Sequence, residues 1–429
     1  SARCCCAVAA ALASKFRSST QSVPGGTVAA SQTDTQQTMA FRGATAGGRA
    51  VWRLCRAVTG SSRAAAGACG ATVLVAVTAG GGTFLYRNLH APQLELKGPL
   101  DMSSFLAETI TPRWELEKRS ETIATKMEML IMKVQGEFVS QLQKIESQYS
   151  DAKFRIDRWK REEGGGGIAC VLQDGQVFEK AGVNVSVVEG PLPVAALQHM
   201  KARGKDFGEA PFNFRAMGVS SVIHPRNPNV PTVHFNYRYF EVSDARGRVT
   251  WWFGGGSDLT PYYLNKDDVR HFHQTLKNAC DRHSPVYYTE FKKWCDDYFY
   301  IKHRGFSRGV GGIFFDDLAD RKPENVLRFV EECANSVIPS YIPLVLKNKD
   351  KGYGYRERDW QLVRRGHYAE FNLIYDRGTK FGLFTPGARY EAILMSLPLN
   401  ARWYYEHEPE PGSEEEKVLE VLKKPANWV

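Results

Sequence analysis

The spacing of apolar residues changes twice along the chain. From 101 to 148 they recur at steps of three and four: Trp114, the run MEMLIMKV (127–134), Phe138, Val139 and Leu142. That is the period of a helix with one buried face. Residues 153–167, KFRIDRWKREEGGGG, are basic and polar and end in glycines, which predicts a loop or a sharp connection. From 168 to 256 the period becomes two. IACVLQ, VFEKAGVNVSVVEG, GVSSVIHP, VHFNYRYFEV and VTWWFGGG are short β-branched or aromatic runs set apart by Gly, Pro and Asn, and they predict strands. SDARGR (243–248) is a short turn between the last two, and short turns favour antiparallel pairing. Helices are predicted again over 265–283, where Asn265 caps with Asp268 three residues on, and over 286–303 and 323–347. EFNLIYDRGTKFGLF (370–384) reads as a second hairpin about DRGT. A helical region is predicted from about 388, and the acidic EHEPEPGSEEE precedes a short last helix.

Strands cluster centrally and helices flank them, with no internal repeat. The expected fold is a single α+β domain, a large antiparallel sheet covered by helices on both faces. No Gly-rich turn joins a strand to a helix in a βαβ unit, so a dinucleotide-binding fold is unsupported.

Charge changes the picture only at one end. The chain of 429 residues has a formal net charge of +9. Residues 1–90 hold nine Lys/Arg and one acid, so the remainder holds 47 basic and 46 acidic residues. A nucleic-acid partner is therefore not expected, because the excess sits in a tail and not on a folded face. The tail is rich in Ala, Ser, Gly and Arg, the composition of a mitochondrial transit peptide. ATVLVAVTAGGGTFLY (71–86) follows it, apolar but shorter than the roughly 20 residues a spanning helix needs. The two together read as a two-part address. An intact membrane anchor or a simple matrix signal is the alternative. Residues 1–98 are assigned to targeting and linker, and 99–429 to the folded domain.

Five of the nine cysteines lie in the tail. Cys170, Cys280, Cys295 and Cys333 are scattered, without zinc or iron–sulfur spacing, and are expected as buried thiols. His271 and His273 are two apart, which in a helix puts them on different faces, so no metal site is expected there.

Four stretches could carry chemistry. His234, Asn236 and Arg238 alternate along one predicted strand and so share a face. A guanidinium fork, an amide and an imidazole suit an anionic organic ligand; a wet sheet face carrying ordinary hydrogen bonds is the plain alternative. FGGGSDLTPYY (253–263) lacks the Lys-Ser/Thr of a phosphate cradle. Its glycines suit close backbone approach to a flat ligand or a neighbouring strand. Pro261, Tyr262 and Tyr263 would rim the site. Asp258 beside a bulky apolar ligand would have its pKa raised toward that of a base; an Asx-turn residue is the alternative. In RGFSRGVGGIFFDDL (304–318), Arg308 lies among small residues and could reach a cavity. Asp316 and Asp317 face opposite ways on a strand, so helix capping or pairing with arginine is favoured over a two-carboxylate mechanism. In TPGARYEAI (385–393), a helix start plus Arg389 would seat a carboxylate, or Arg389 would lie in solvent.

VHFNYRYFEV, WWFGGGSDLTPYY, FSRGVGGIFFDDL, YAEFNLIYDRGTKFGLFTPGARYEAILMSLP and the closing VLKKPANWV closely resemble the oxygen-dependent coproporphyrinogen-III oxidases, in their mitochondrial animal form. The resemblance covers nearly all of 99–429. It implies oxidative decarboxylation of the ring A and B propionates of a reduced tetrapyrrole to vinyl groups, with molecular oxygen as co-substrate and no metal or organic cofactor. It carries the proton-donor role to His234 and substrate contacts to Ser220, Asn236, Tyr237, Arg238, Gly387, Ala388 and Arg389. Asp258 and Arg308 match positions important for catalysis, Asp258 to take or orient a pyrrole N–H proton, and Arg308 to hold the reacting propionate with Arg238. It further implies a homodimer paired through the chain from Tyr368 onward and the strand near 169–178. The implied location is the mitochondrial intermembrane space, with peripheral association with the inner membrane. Without the resemblance, a non-catalytic tetrapyrrole carrier and a structural dimer on the inner membrane stay open.

Overall fold

The computed structural model describes residues 100–202, 204–384 and 389–429; the predicted targeting segment, the apolar stretch 71–86, Gly387 and Ala388 lie outside them. Helix α1 (Arg113–Lys118) precedes the long α2 (Ile123–Glu146), which starts where the Thr122 hydroxyl accepts the Thr125 N–H. Strands β1 (Arg155–Lys160), β2 (Gly165–Gln173) and β3 (Phe178–Pro191) follow, then α3 (Val194–Ala202). Next come β4 (Asn213–Pro225), β5 (Thr232–Ser243) and β6 (Val249–Thr260), and then α4 (Lys266–Asp281) and α5 (Tyr287–Tyr298). A two-stranded ribbon, β7 (Tyr300–Ile301) and β8 (Phe306–Ser307), leads into β9 (Gly311–Leu318). Helices α6 (Pro323–Asn335), α7 (Val337–Asn348) and α8 (Tyr355–Glu370) run into a π-helical turn (Phe371–Tyr375). The chain closes with α9 (Arg377–Phe384), α10 (Tyr390–Leu394) and α11 (Glu414–Lys423).

The main sheet has the order β1-β2-β3-β4-β5-β6-β9, and every neighbouring pair is antiparallel. The period of two divides its side chains. Val183, Val185, Val219, Phe235, Tyr237, Tyr239, Phe253, Ile313 and Phe315 belong to the main core. On that face Phe138 of α2 meets Phe235 edge-on at 5.3 Å, and Phe329 of α6 meets Phe315 at 5.2 Å. On the other face, Phe240 stacks on Trp252 at 4.6 Å in a smaller cluster that includes Ala196 and Met200 of α3. α10 lies further along this second face, its end fastened by Lys180 Nζ donating to the Leu394 carbonyl (3.2 Å) and Asn184 Nδ2 to that of Ala392 (3.2 Å). Helices thus cover both faces of one α+β domain, and a gap between α3 and α10 leaves the middle of the second face open to a ligand.

The five central strand predictions hold, as does the turn at 243–248, where Asp244 Oδ1 accepts the N–H groups of Arg246 and Arg248. The Asn265 cap is present, accepting from Asp267 and Asp268. All four described cysteines are buried and free.

Four expectations are corrected. Residues 153–167 contain a strand, β1, and the glycine run is its tight return. Gly165 has φ +84°, and a Cβ there would lie 2.1 Å from the Val187 carbonyl oxygen. The stretch 323–347 is two helices, broken at Ser336. The helical region expected from about 388 is the single short α10, while the short last helix is present as α11. The second hairpin does not exist: 370–384 is the end of α8, the π-helical turn and α9. Its DRGT is a helix start, because Asp376 is extended (ψ 121°) and its carboxylate accepts the Thr379 N–H at 2.7 Å. An Asx-type cap and a hairpin turn use the same residue types, and only tertiary contacts separate them. Helix α8, with no sequence prediction, is fixed by buried charge: Arg365 and Arg358 both donate to Glu179 of β3, at 2.5 and 2.8 Å.

Candidate active site

The open part of the second face is built from four ladders running across β3, β4, β5 and β6. The first is Val188–Ala216–Phe240–Trp252, apolar and under α3. The second is Ser186–Gly218–Arg238–Gly254. The third is Asn184–Ser220–Asn236–Gly256, with Phe314 of β9 beyond it. The fourth is Gly182–Val222–His234–Asp258–Gly312. Alternation therefore does place His234, Asn236 and Arg238 on one face, as the sequence predicts. Small residues flank Asn236 and Arg238 on both sides. A Cβ at position 254 would stand 2.6 Å from Arg238 Nη2, so the glycine opposite Arg238 is the room its side chain occupies.

These residues floor a cavity of about 460 Å³. Its walls include Trp159, Trp252, Tyr298, Phe299, Phe314 and Met395, with Arg377, Gly378 and Thr379 from α9 on one side. Apolar walls with a few convergent polar groups are the usual make-up of a small-molecule site. Guanidinium groups on such a lining suit a largely apolar ligand that carries acidic groups.

His234 donates from Nδ1 to Asp258 Oδ1 at 2.7 Å. Asp258 in turn receives Arg308 through Nη2, at 2.9 Å to each oxygen, and through Nε at 3.2 Å. The remaining guanidinium nitrogen, Nη1, donates to Asn372 Oδ1 at 2.9 Å. Arg308 is stacked on Phe299 (3.9 Å), Tyr368 (4.6 Å) and Phe371 (4.9 Å). Burial alone would raise the Asp258 pKa, but the Arg308 charge and the adjoining imidazole outweigh it and hold the carboxyl below its ordinary range. The expectation of a raised, base-like Asp258 is thereby corrected. An ionised carboxylate only accepts, so His234 Nδ1 carries the proton and Nε2 is left for the cavity. Among the described residues nothing bonds Nε2. The arrangement is that of an orienting carboxylate behind a histidine, which fixes the ring. Asp258 is 2 % exposed, so its part is to position His234.

Arg308 reaches the cavity, as the sequence suggests, but it is 3 % exposed and committed to Asp258 and Asn372, so it braces the carboxylate and is not a free propionate fork. Its own pKa is raised: burial opposes the charge, and the ion pair with Asp258 wins.

The other predicted residues divide. Ser220 and Asn236 line the cavity, and Asn236 Oδ1 accepts from Arg238 Nη1 at 2.8 Å. Tyr237 does not line it. It points into the core, fully buried, with its hydroxyl on Ser257 Oγ (2.7 Å) and on the Cys333 carbonyl (3.0 Å). Strand alternation that delivers Asn236 and Arg238 to the site must turn Tyr237 away from it. Tyr262 is buried too, bonded to Thr232 Oγ1 at 2.7 Å, and forms no rim. Arg389 pairs with Asp157 of β1 and lies over the Trp159 ring at 6.0 Å. His271 and His273 part as expected: the first, at the surface, donates from Nε2 to the Pro339 carbonyl, and the second is buried between Tyr288 and the Val310 carbonyl. Among the described residues no three His, Cys, Asp or Glu side chains gather as a metal site.

Sequence reasoning missed Arg377, Asn372 and Asn184. The first two sat in the stretch read as a hairpin, and Asn184 is one polar residue in an apolar strand. Asp316 was read as an arginine partner, and it is one: Arg238 Nη2 donates to Oδ1 at 2.8 Å and Arg377 Nη2 to Oδ2 at 3.3 Å.

Comparison with known proteins gives the family. The family model described as coproporphyrinogen III oxidase matches residues 126–428. The oxygen-dependent coproporphyrinogen-III oxidase of Drosophila melanogaster is 63 % identical over 331 residues, 77 % of this chain and 84 % of that protein. The mitochondrial human enzyme of the same name is 58 % identical, covering 76 % of this chain and 72 % of its own length. The chloroplastic coproporphyrinogen-III oxidase 1 of Arabidopsis thaliana is 52 % identical over 352 residues. On a family match over residues 126–428 and relatives more than half identical over most of their length, this chain belongs to the coproporphyrinogen III oxidase family.

Proposed function

We propose that this protein oxidatively decarboxylates the ring A and B propionates of coproporphyrinogen-III to vinyl groups, giving protoporphyrinogen-IX on the path to haem. The observation that carries the reading is the polar stripe on the glycine floor, His234 beside the arginine end of an aromatic-walled cavity. A porphyrinogen is flat enough in outline to lie between apolar walls, and its propionates call for guanidinium donors. Each step converts one propionate side chain, one oxygen molecule and one proton into a vinyl group, carbon dioxide and hydrogen peroxide. Two electrons leave the substrate with the departing hydrogen and reduce oxygen. The one proton consumed is the natural task of His234, whose ring Asp258 holds in place. Arg238 anchors a propionate. The electron-rich substrate itself supplies the electrons, so the reading includes no metal and no organic cofactor.

The test is an oxygen electrode with coproporphyrinogen-III under dim light. Oxygen uptake and carbon dioxide release should both depend on substrate concentration. A protein that binds the tetrapyrrole without taking up oxygen would be a carrier, and this reading would be lost.

The same proposal covers assembly and place. Two copies pair through the β1–β2 side of the sheet and the chain from Tyr368 onward, where Trp403, Tyr405 and Phe384 stand exposed. Sedimentation should give twice the mass of one chain. The human, rat and mouse relatives are named mitochondrial. This chain is mitochondrial, and we place it in the intermembrane space, peripheral to the inner membrane. Protease that reaches it only after the outer membrane is ruptured would bear that out; protection at that stage would move it to the matrix.

A further inference from the structure

Asp316 is a carboxylate inside a site whose ligand brings carboxylates of its own. It stands on β9, and two arginines from different walls meet on it: Arg238 from the β5 floor and Arg377 from the first residue of α9. All three line the cavity. They remain partly open to it, at 20 %, 13 % and 46 % exposure for Arg238, Asp316 and Arg377. An aspartate side chain and a propionate end in the same group. A propionate that reaches these arginines therefore meets an occupant of its own chemistry, and its net affinity is the difference between two similar guanidinium–carboxylate pairs.

We propose that Asp316 is a positioning residue that acts as an internal competitor for the substrate's propionates, holding Arg238 and Arg377 in place when no propionate lies there and lowering the hold on each propionate that does. The inference rests on the functional reading above. Two propionates of one macrocycle must come in turn to the same His234, so the molecule has to release one anchorage and take another. Two guanidiniums with no resident anion would grip a propionate and slow that exchange. With Asp316 present, the exchange swaps one carboxylate for another at little cost.

Asp316→Asn keeps the shape and removes the charge. In the oxygen-uptake assay with coproporphyrinogen-III, KM should fall about five-fold or more, as expected when a competing charged hydrogen-bond partner is lost. kcat should fall as well, and the second decarboxylation should slow more than the first, so the three-carboxylate intermediate forms a larger share of the products. Asp316→Glu keeps the competing charge and should restore the wild-type pattern. A loss of mere structural support would instead raise KM. A KM that rises or stays unchanged in Asp316→Asn, in folded enzyme of normal melting behaviour, overturns the proposal. Asp316→Ser, smaller and also neutral, carries the same expectation if the amide proves too disruptive to fold. A wild-type enzyme that takes up no oxygen removes the functional reading and this proposal with it; a working wild type with an unshifted variant removes this proposal alone.

Discussion

Arg308 with Asp258, and Arg238 with Arg377 and Asp316, are arginine–carboxylate clusters on the same face of one sheet. The first pair is 3 % and 2 % exposed, roofed by three aromatic rings and closed by Asn372. The second group opens onto the cavity and spans two walls. A charge pair buried without water has no other partner to go to, so it holds one geometry; its desolvation is costly and breaking it more so. A pair in contact with solvent or ligand can exchange partners at small cost. The same chemistry is thus used once to fix a histidine and once to receive and release an anion. Burial, and not residue type, separates the two.

The sharpest way to break this contrast is Asp258→Asn. It leaves Arg308 buried without its counter-charge and His234 without its orienting anion. Turnover should fall by roughly 100-fold or more, the range of a lost proton-transfer group. Stability should fall by about 3 kcal/mol, the cost of removing one partner of a buried pair. Steady-state oxygen uptake and denaturant melts check both. A variant with changed KM but intact kcat would show that Asp258 does not act through His234.

Glu179 supplies a control, a buried ionic cluster outside the cavity that joins β3 to Arg365, Arg358 and Asn400. Burial pushes its pKa up, but the bonds from Arg358 and Arg365 pull it down further, from 4.5 to about 2. A depressed carboxyl stabilises the folded state fully above the unfolded value and loses that contribution as pH falls through the folded one. Glu179→Gln should therefore cost about 3 kcal/mol at neutral pH. The difference should shrink between pH 4.5 and about 2 and vanish below it, with kcat unchanged in the folded enzyme. Acid-denaturation curves that stay parallel across that window would remove Glu179 as an ionised anchor.

Gly254→Ala works on the exchangeable cluster without touching a charge. The atoms nearest the new methyl group are those of the flexible end of Arg238, so the fold should stand while the guanidinium is pushed off Asp316. A loss of about 1–2 kcal/mol in kcat/KM, roughly ten-fold, with an unchanged melting temperature is the expected split. An equal loss of stability would mean that the glycine serves strand packing, not the seat of Arg238.

The parts of this site that were legible in the sequence are those governed by a short period. HFNYRYFEV shows its polar stripe because a strand repeats every two residues, and the glycines of WWFGGGSD announce a close approach whatever it turns out to be. Pairing across the sheet is not local. That Asp258 would face His234 needed the β5–β6 register, and that Arg308 would close over it needed β9 to return beside β6. For the same reason the Asp258 pKa was misread: burial was foreseeable, but the arginine that reverses its effect comes from 50 residues away. DRGT failed because a capped helix start and a hairpin turn use the same alphabet, and with it went Arg377. The family resemblance supplied what register could not, though it also carried Tyr237 to the site with its neighbours.

Tyr237→Phe tests that last point, and its effect should be the smallest. The hydroxyl bonds Ser257 and the Cys333 carbonyl in the core, between β5 and α6, and no part of the ring lines the cavity. Removing the hydroxyl leaves the packing intact and takes away the acceptor of the Ser257 hydroxyl, while the Cys333 carbonyl keeps its bond from Ser336, a cost of about 1 kcal/mol in stability. KM and kcat should stay at wild-type values at a temperature where both proteins are folded. A rise in KM matched by no change in stability would put Tyr237 in contact with substrate and would mean that β5 shifts register or twists on binding. An unchanged KM with the modest stability loss would leave Asn236 and Arg238 facing the ligand and Tyr237 serving the other side of the same strand.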